Sequence, residues 1–219
     1  MSIPANIAKI QKELPSTVQL MAVTKNRTLD EIKSCLKAGV SYLGENRVQE
    51  AEKKFLFLEK EGWTFKKILI GPLQSNKVKK AVALFDEIHS VDRLEIALKL
   101  SAEAQRINKV MPVLIEVNIG KDPNKHGFGK ENLFEVLSQL GKEKGIRVKG
   151  LMTIVPFKEN LEDTRAYFSA LKVIFEGLKA QLIPGVELQE LSMGMSHDYR
   201  VAVQEGATIV RLGTVLFED

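Results

Sequence analysis

The sequence contains a single cysteine, Cys35, so no disulfide can form within the chain. That usage fits a reducing compartment. No apolar run approaches the length of a membrane span, and the opening stretch "MSIPANIAKIQKELP" lacks the apolar segment of a secretory leader. Charge of one sign is also scarce: the net charge is +4, with 28 acidic residues interleaved among 32 basic ones. That balance excludes a dedicated nucleic-acid binder, although anionic small molecules would be welcome. No linker, low-complexity tract or long-period repeat interrupts the chain. His89 and His197 lie far apart with no histidine or cysteine at ligand spacing, so no metal site is expected. The absences describe a cytoplasmic protein without membrane or nucleic-acid partners.

What is present is ordinary in composition and regular in pattern. Hydrophobic residues make up 44% and charged residues 27%, and 219 residues suffice for one sizeable core, so residues 1–219 are expected to form a single domain. Short β-rich runs alternate with amphipathic helical stretches. The expected strands cover 18–25, 42–46, 67–71, 87–91, 112–119, 148–155, 187–193 and 208–215. Several are continuously apolar, as parallel strands covered on both faces are. Between them, "LDEIKSCLKAG" places Leu29, Ile32 and Leu36 on one face and stops at Gly39, and "LEDTRAYFSALKVIFEGLKAQL" stops at Pro184-Gly185. Strict alternation implies right-handed crossovers and a parallel sheet. Eight repeats, with an extra N-terminal helix around 3–14, predict an α/β fold closed as a (β/α)8 TIM barrel rather than an open doubly wound sheet.

In such a barrel the strand ends carry the chemistry. The first strand, "VQLMAVTK", ends in Lys25. An ammonium is costly to desolvate, so this lysine is either an ordinary snorkelling side chain or a Schiff-base amine. The second ends in "GENR", where Asn46 and Arg47 either contact a ligand or cap the next helix. In "GPLQSNK", Gln74, Ser75 and Asn76 read as a helix start. The loop "GKDPNKHGFGK" fails the Walker spacing, and so is no nucleoside-triphosphate loop of that kind. Its segment 121–130 brings Lys121, Lys125 and His126 toward the mouth, either as a solvated basic loop or with Lys125 as a second amine aiding ligand release. The seventh strand ends in "LSMGMSHD", with Ser196 at an expected helix N-terminus, and the eighth carries "VRLGT", with Gly213 and Thr214 opening the last turn. Loops after strands seven and eight are where this fold recurrently holds phosphate. His89 reads as a satisfied core or mouth histidine, and Cys35 as packing.

A lysine after the first strand and a phosphate cradle after the last two describe one ligand, an aldehyde bearing a phosphate. Pyridoxal 5'-phosphate (PLP) fits, with its aldehyde on Lys25 and its phosphate near Ser196, Gly213 and Thr214. Arg211, two residues before Gly213, shares its strand face and could reach the pyridine nitrogen. A guanidinium has no acceptor, so that nitrogen would stay unprotonated and the ring a weaker electron sink.

The motifs "MAVTKNR", "GENRVQEA", "IGPLQSNK", "HSVDR", "GLMTI", "LSMGMSHD" and "VRLGT", in order along nearly the whole chain, resemble the pyridoxal-phosphate homeostasis protein family, also called the proline synthetase co-transcribed family. The resemblance implies a single-domain barrel related to the N-terminal domain of alanine racemase, with PLP on Lys25. It further implies that Ser196, Gly213 and Thr214 hold the phosphate, and that Asn46 and Arg211 line the cofactor. The family's usual histidine before the "IG" of the third strand is missing from "FKKILIG".

Three functions compete. A carrier would bind PLP, take part in its intracellular homeostasis as a monomer or weak dimer, and supply PLP-dependent apo-enzymes without being an enzyme. An amino-acid racemase needs acid/base groups on both faces of the substrate, and the sequence ends at Asp219 without room for the extra domain that serves alanine racemase. Its three tyrosines, Tyr42, Tyr167 and Tyr199, offer no obvious substitute, since Tyr167 is expected in mid-helix. An aldolase would need a proton shuttle beside Lys25, for which Glu116 is the best candidate. The carrier reading leads.

Overall fold

A computed structural model describes residues 2–120, 122 and 126–218. The first helix, α1 (Ile3–Glu13), places Pro4 in its first turn, buries Ile7 and Ile10, and stops at Leu14. The chain then alternates strand and helix. β1 (Gln19–Val23), α2 (Leu29–Lys37), β2 (Tyr42–Glu45), α3 (Val48–Lys60) and β3 (Lys66–Leu69) form the first part. α4 (Val78–Leu84), β4 (Glu87–Val91), α5 (Leu94–Arg106) and β5 (Met111–Glu116) continue it. α6 (Leu133–Leu140), β6 (Ile146–Met152), α7 (Arg165–Ala180), β7 (Val186–Met195), α8 (Tyr199–Gln204), β8 (Ile209–Leu212) and α9 (Thr214–Phe217) complete the ring. The eight strands pair in sequence order and β8 closes on β1, all in parallel. This is the expected (β/α)8 barrel with its extra N-terminal helix.

Strand boundaries differ from the sequence reading for local reasons. The run expected over 18–25 ends at Val23, because Asn26 takes φ 59° and turns the chain toward α2. The Thr28–Glu31 capping box then starts that helix. The run expected over 208–215 ends at Leu212, because Gly213 precedes the first residue of α9. β7 is longer than expected, reaching Met195 through a register shift beside Gly194, whose φ of 90° suits glycine. β5 stops at Glu116 rather than 119.

The main core lies between the strands and the helices, and a second, smaller cluster fills the barrel. Met21, Ile68, Ile70 and Ile209 form this inner cluster, with Val23 and Tyr42 beside it. Gly44 makes room for it: a Cβ there would lie 2.8 Å from the Met21 sulfur. These inward positions set the parity of β1, β2, β3 and β8, and hence which of their side chains face the barrel interior.

At the N-terminal end of the barrel, Glu87 accepts from Lys66 at 2.6 Å and lies 3.1 Å from His89 Nε2. Lys149 bridges Glu87 and Glu190. His89, in the middle of β4, is the core histidine expected, but only half satisfied: its Nε2 lies on Glu87 and its Nδ1 has no partner among the described residues. Burial holds its ring below the usual range. The ligand atoms of Glu87, His89 and Glu190 lie within 4.8 Å of one another, but the two lysines already neutralise the carboxylates, which makes the group an ion-pair network. Burial raises the Glu87 carboxyl, yet the His89 hydrogen bond and Lys66 outweigh it and take its pKa to about 2. A depressed carboxylate stabilises the fold fully above its unfolded value, about 4.3, and that contribution is lost as pH falls toward 2. Glu87→Ala, which strands one neutral and two charged partners, should therefore cost about 2–4 kcal/mol near pH 7 by denaturant titration. Near pH 2 the difference from wild type should shrink.

Candidate functional site

The ends of β7, β8 and β1 converge on the C-terminal mouth. Arg211 on β8 is the register partner of Met21 on β1 and of Met195 on β7. Met21 and Val23 belong to the barrel interior, and Lys25 follows at the same two-residue spacing, in the turn just beyond β1. It is not in the strand itself, as the sequence reading had it. Lys25 is exposed, and its amine makes no hydrogen bond or ion pair among the described residues.

Its backbone, in contrast, is held on both sides. Thr24 N donates to Gly44 O at 2.9 Å, and Thr24 Oγ1 donates to Glu45 Oε1 at 2.7 Å. Lys54 Nζ reaches Thr24 O at 2.7 Å, Glu45 at 2.9 Å and Glu50 at 2.7 Å. On the far side, Asn26 N donates to Glu50 Oε1 at 2.8 Å. Burial raises the Glu45 carboxyl, and Lys54 and Thr24 oppose it. The "GENRVQEA" stretch thus serves the amine through Glu45 and Glu50, a role that sequence reasoning missed by attending to Asn46.

Arg211 is buried inside the barrel. Its Nη1 donates to Ser192 Oγ at 2.7 Å and its Nη2 to Thr153 O at 2.7 Å. Burial lowers its pKa to about 10 while Glu116 and Asp198 oppose the shift, so the guanidinium stays charged at neutral pH. Beside it, Ser196 Oγ accepts from Gly213 N at 3.0 Å and from Val215 N at 3.4 Å. Ser196 therefore sits at the start of α9, not of α8 as expected, and its own O–H remains available to a ligand. Ser196 and Thr214 also line a cavity of about 520 Å³ that runs outward along α1 to Lys9 and Arg200. Gly213 lies flush against β1, where a Cβ would sit 3.6 Å from Val23.

Asn46 is half-buried, with its backbone packed against Gly71. It does not cap α3: Arg47 is the cap residue, without a side-chain capping bond. Asn46 instead lines a second cavity with Gln74, Lys77, Arg93 and His126. His126 Nδ1 lies 3.0 Å from Asp92 Oδ2, while the other oxygen of that carboxylate, Oδ1, accepts from Arg93 Nη1 at 2.8 Å. Lys121 and Lys125 lie outside the described residues. Cys35 is buried and its thiol is pushed up to about 12 by burial, so it packs rather than reacts. Tyr42 lies beneath Lys66, and the Tyr199 hydroxyl donates to Glu13 at 2.7 Å. Tyr167 is in the first turn of α7 rather than mid-helix, packed near Gly120.

The structure thus gathers Lys25, Ser196, Arg211, Gly213 and Thr214 around one corner of the mouth, with Asn46 just past the end of the neighbouring β2. Sequence reasoning did not single out Thr153, Ser192 or Asp92, although "GLMTI", "LSMGMSHD" and "HSVDR" contain them. An amine without a partner among the described residues, a fixed buried cation and short hydroxyl donors suit a carbonyl compound that carries an anionic group.

The chain matches the family described as "Alanine racemase, N-terminal domain" over residues 2–219. A Synechocystis protein named pyridoxal phosphate homeostasis protein is 40% identical over 219 residues, covering 99% of this chain and 98% of that one. Its Aquifex aeolicus namesake is 42% identical over 203 residues, covering 92% and 86%. PipY of Synechococcus elongatus, solved with PLP bound, has a TM-score of 0.91 at 37% identity, covering 99% of this chain and 100% of that one. A Clostridium difficile alanine racemase shares the fold alone, with a TM-score of 0.79 at 18% identity; this chain is fully covered and accounts for 56% of that one.

Proposed function

The chain belongs to the alanine racemase N-terminal-domain family and, within it, to the pyridoxal phosphate homeostasis proteins, and from that premise we propose that it holds PLP on Lys25 and takes part in PLP homeostasis without turning over a substrate. The observation that carries the reading is the Lys25 amine, without a partner among the described residues, on a turn held by Lys54 and at the same end of the barrel as the Ser196–Gly213 corner. Lys25 Nζ would condense with the ligand aldehyde, releasing one water and leaving a Schiff base. The Ser196 hydroxyl and Thr214 would take the phosphate, and Asn46 would line the cofactor. Bound PLP supplies a reactive aldehyde and an electron-withdrawing ring.

The protein's own groups weigh against turnover. Arg211 would face the pyridine nitrogen with a donor and no acceptor, which keeps that nitrogen unprotonated. Of the tyrosines, Tyr199 has its hydroxyl spent on Glu13 and is pushed up to about 12 by burial. In this reading residues 1–219 work as one PLP-binding unit, monomeric or weakly dimeric, in the cytoplasm, and supply PLP-dependent apo-enzymes. Among the described residues no helix is long and apolar enough to cross a membrane.

The test is a PLP titration followed by each alanine enantiomer. A saturable visible band should appear, with no useful interconversion of the enantiomers. Turnover of about 1 s⁻¹ or faster would place the chain among racemases instead.

A further inference from the structure

Across the barrel from Lys25 stands a carboxyl with no assigned task. Glu116 ends β5, four strands from β1 in a ring of eight. It is 8% exposed, and its carboxylate makes no hydrogen bond or ion pair among the described residues. It lines a cavity of about 220 Å³ with Ile70, Pro72, Asn118, His126 and Ile154, and Ile70 belongs to the inner barrel cluster. A buried polar group normally finds a partner, and one that opens into a cavity is placed to find it in a ligand.

We propose that Glu116 is a direct ligand contact: it closes the β5 side of the mouth opposite Lys25 and donates a hydrogen bond to an acceptor atom of bound PLP. This rests on the PLP reading above. A carboxyl can donate only while protonated, and its surroundings favour that form. Burial and the Asp92 charge raise it to about 7, against Arg211 on β8 and His126 in the loop after β5. Asp92, in the loop after β4, is itself shared between Arg93 and His126. The segments just beyond β3 and β6 face Glu116 with Ile70, Pro72 and Ile154, which carry no charge. Below pH 7 Glu116 is a neutral donor. Above it, the carboxylate loses the donor and sets a negative charge against an anionic ligand. The hold on PLP should therefore weaken as pH rises, in the range where a carrier must both keep and release it.

The experiment measures PLP affinity by absorbance for wild type, Glu116→Gln and Glu116→Leu at pH 6 and pH 8.5. Glutamine keeps a donor at both pH values, so every pH effect arising elsewhere, including at Lys25, is shared with it. Wild type should match Glu116→Gln at pH 6 and bind about tenfold more weakly at pH 8.5, one pKa unit of coupling corresponding to tenfold. Glu116→Leu should bind about tenfold more weakly than Glu116→Gln at both. Identical affinities of the two variants at both pH values would overturn the contact. Parallel pH profiles of wild type and Glu116→Gln would overturn it equally. Failure of the underlying reading looks different: no visible band would form in any of the three proteins. Circular dichroism of each variant checks that the barrel is retained.

Discussion

Lys25→Ala should lower PLP affinity by about a hundredfold or more and abolish the visible band, with no loss of fold. A hundredfold corresponds to about 2.7 kcal/mol, a modest value for removing a reversible covalent bond. The fold should be indifferent, because the side chain is exposed and has no partner among the described residues. What orders the turn is Thr24, Asn26, Glu45, Glu50 and Lys54, all of which remain. Lys25→Arg is the sharper control. It keeps a cation at the mouth but no primary amine that can condense with an aldehyde. If arginine restored binding as well as lysine does, the amine would be only an electrostatic partner.

The second large effect is expected at the phosphate corner. Ser196→Ala with Thr214→Val removes two neutral donors to a charged group, each worth roughly 1.5–3 kcal/mol, so PLP affinity should fall well over tenfold. The structure adds a complication. Ser196 Oγ also receives Gly213 N and Val215 N, so its loss should cost stability of about 1 kcal/mol at the start of α9. Pyridoxal without its phosphate separates the two effects. It should bind weakly to wild type and lose little more in the double variant. Equal losses for both ligands would put the phosphate elsewhere.

The barrel is legible in the sequence because parallel strands covered on both faces are written as apolar runs such as "VLIEV", and because helices between them end at Gly39 or at Pro184-Gly185. Strand ends are less legible. Asn26 and Gly213 end β1 and β8 through backbone conformation, and the flanking residues Thr24, Lys25, Thr214 and Val215 are all compatible with a strand. At the site, the residues that contact one another over long separations are the ones that escape. Ser196 reads as a cap for the nearest helix, yet it serves the helix after the next strand, seventeen residues on. Nothing in the sequence singles out Lys54 on α3, although its amine is shared among three acceptors beneath the Lys25 turn. Glu116 reads in the sequence only as a candidate proton shuttle beside Lys25. Only the closed ring sets it across from Lys25 with Arg211 and Asp92 in range.

The central claim is that Lys25 carries the cofactor, and one measurement bears on it directly. The protein is incubated with PLP, reduced with borohydride, digested, and its peptides are mapped by mass. The phosphopyridoxyl mass is expected on the peptide containing Lys25, at near-stoichiometric yield and with little elsewhere. Label found chiefly on another lysine, with the Lys25 peptide unmodified, would contradict it.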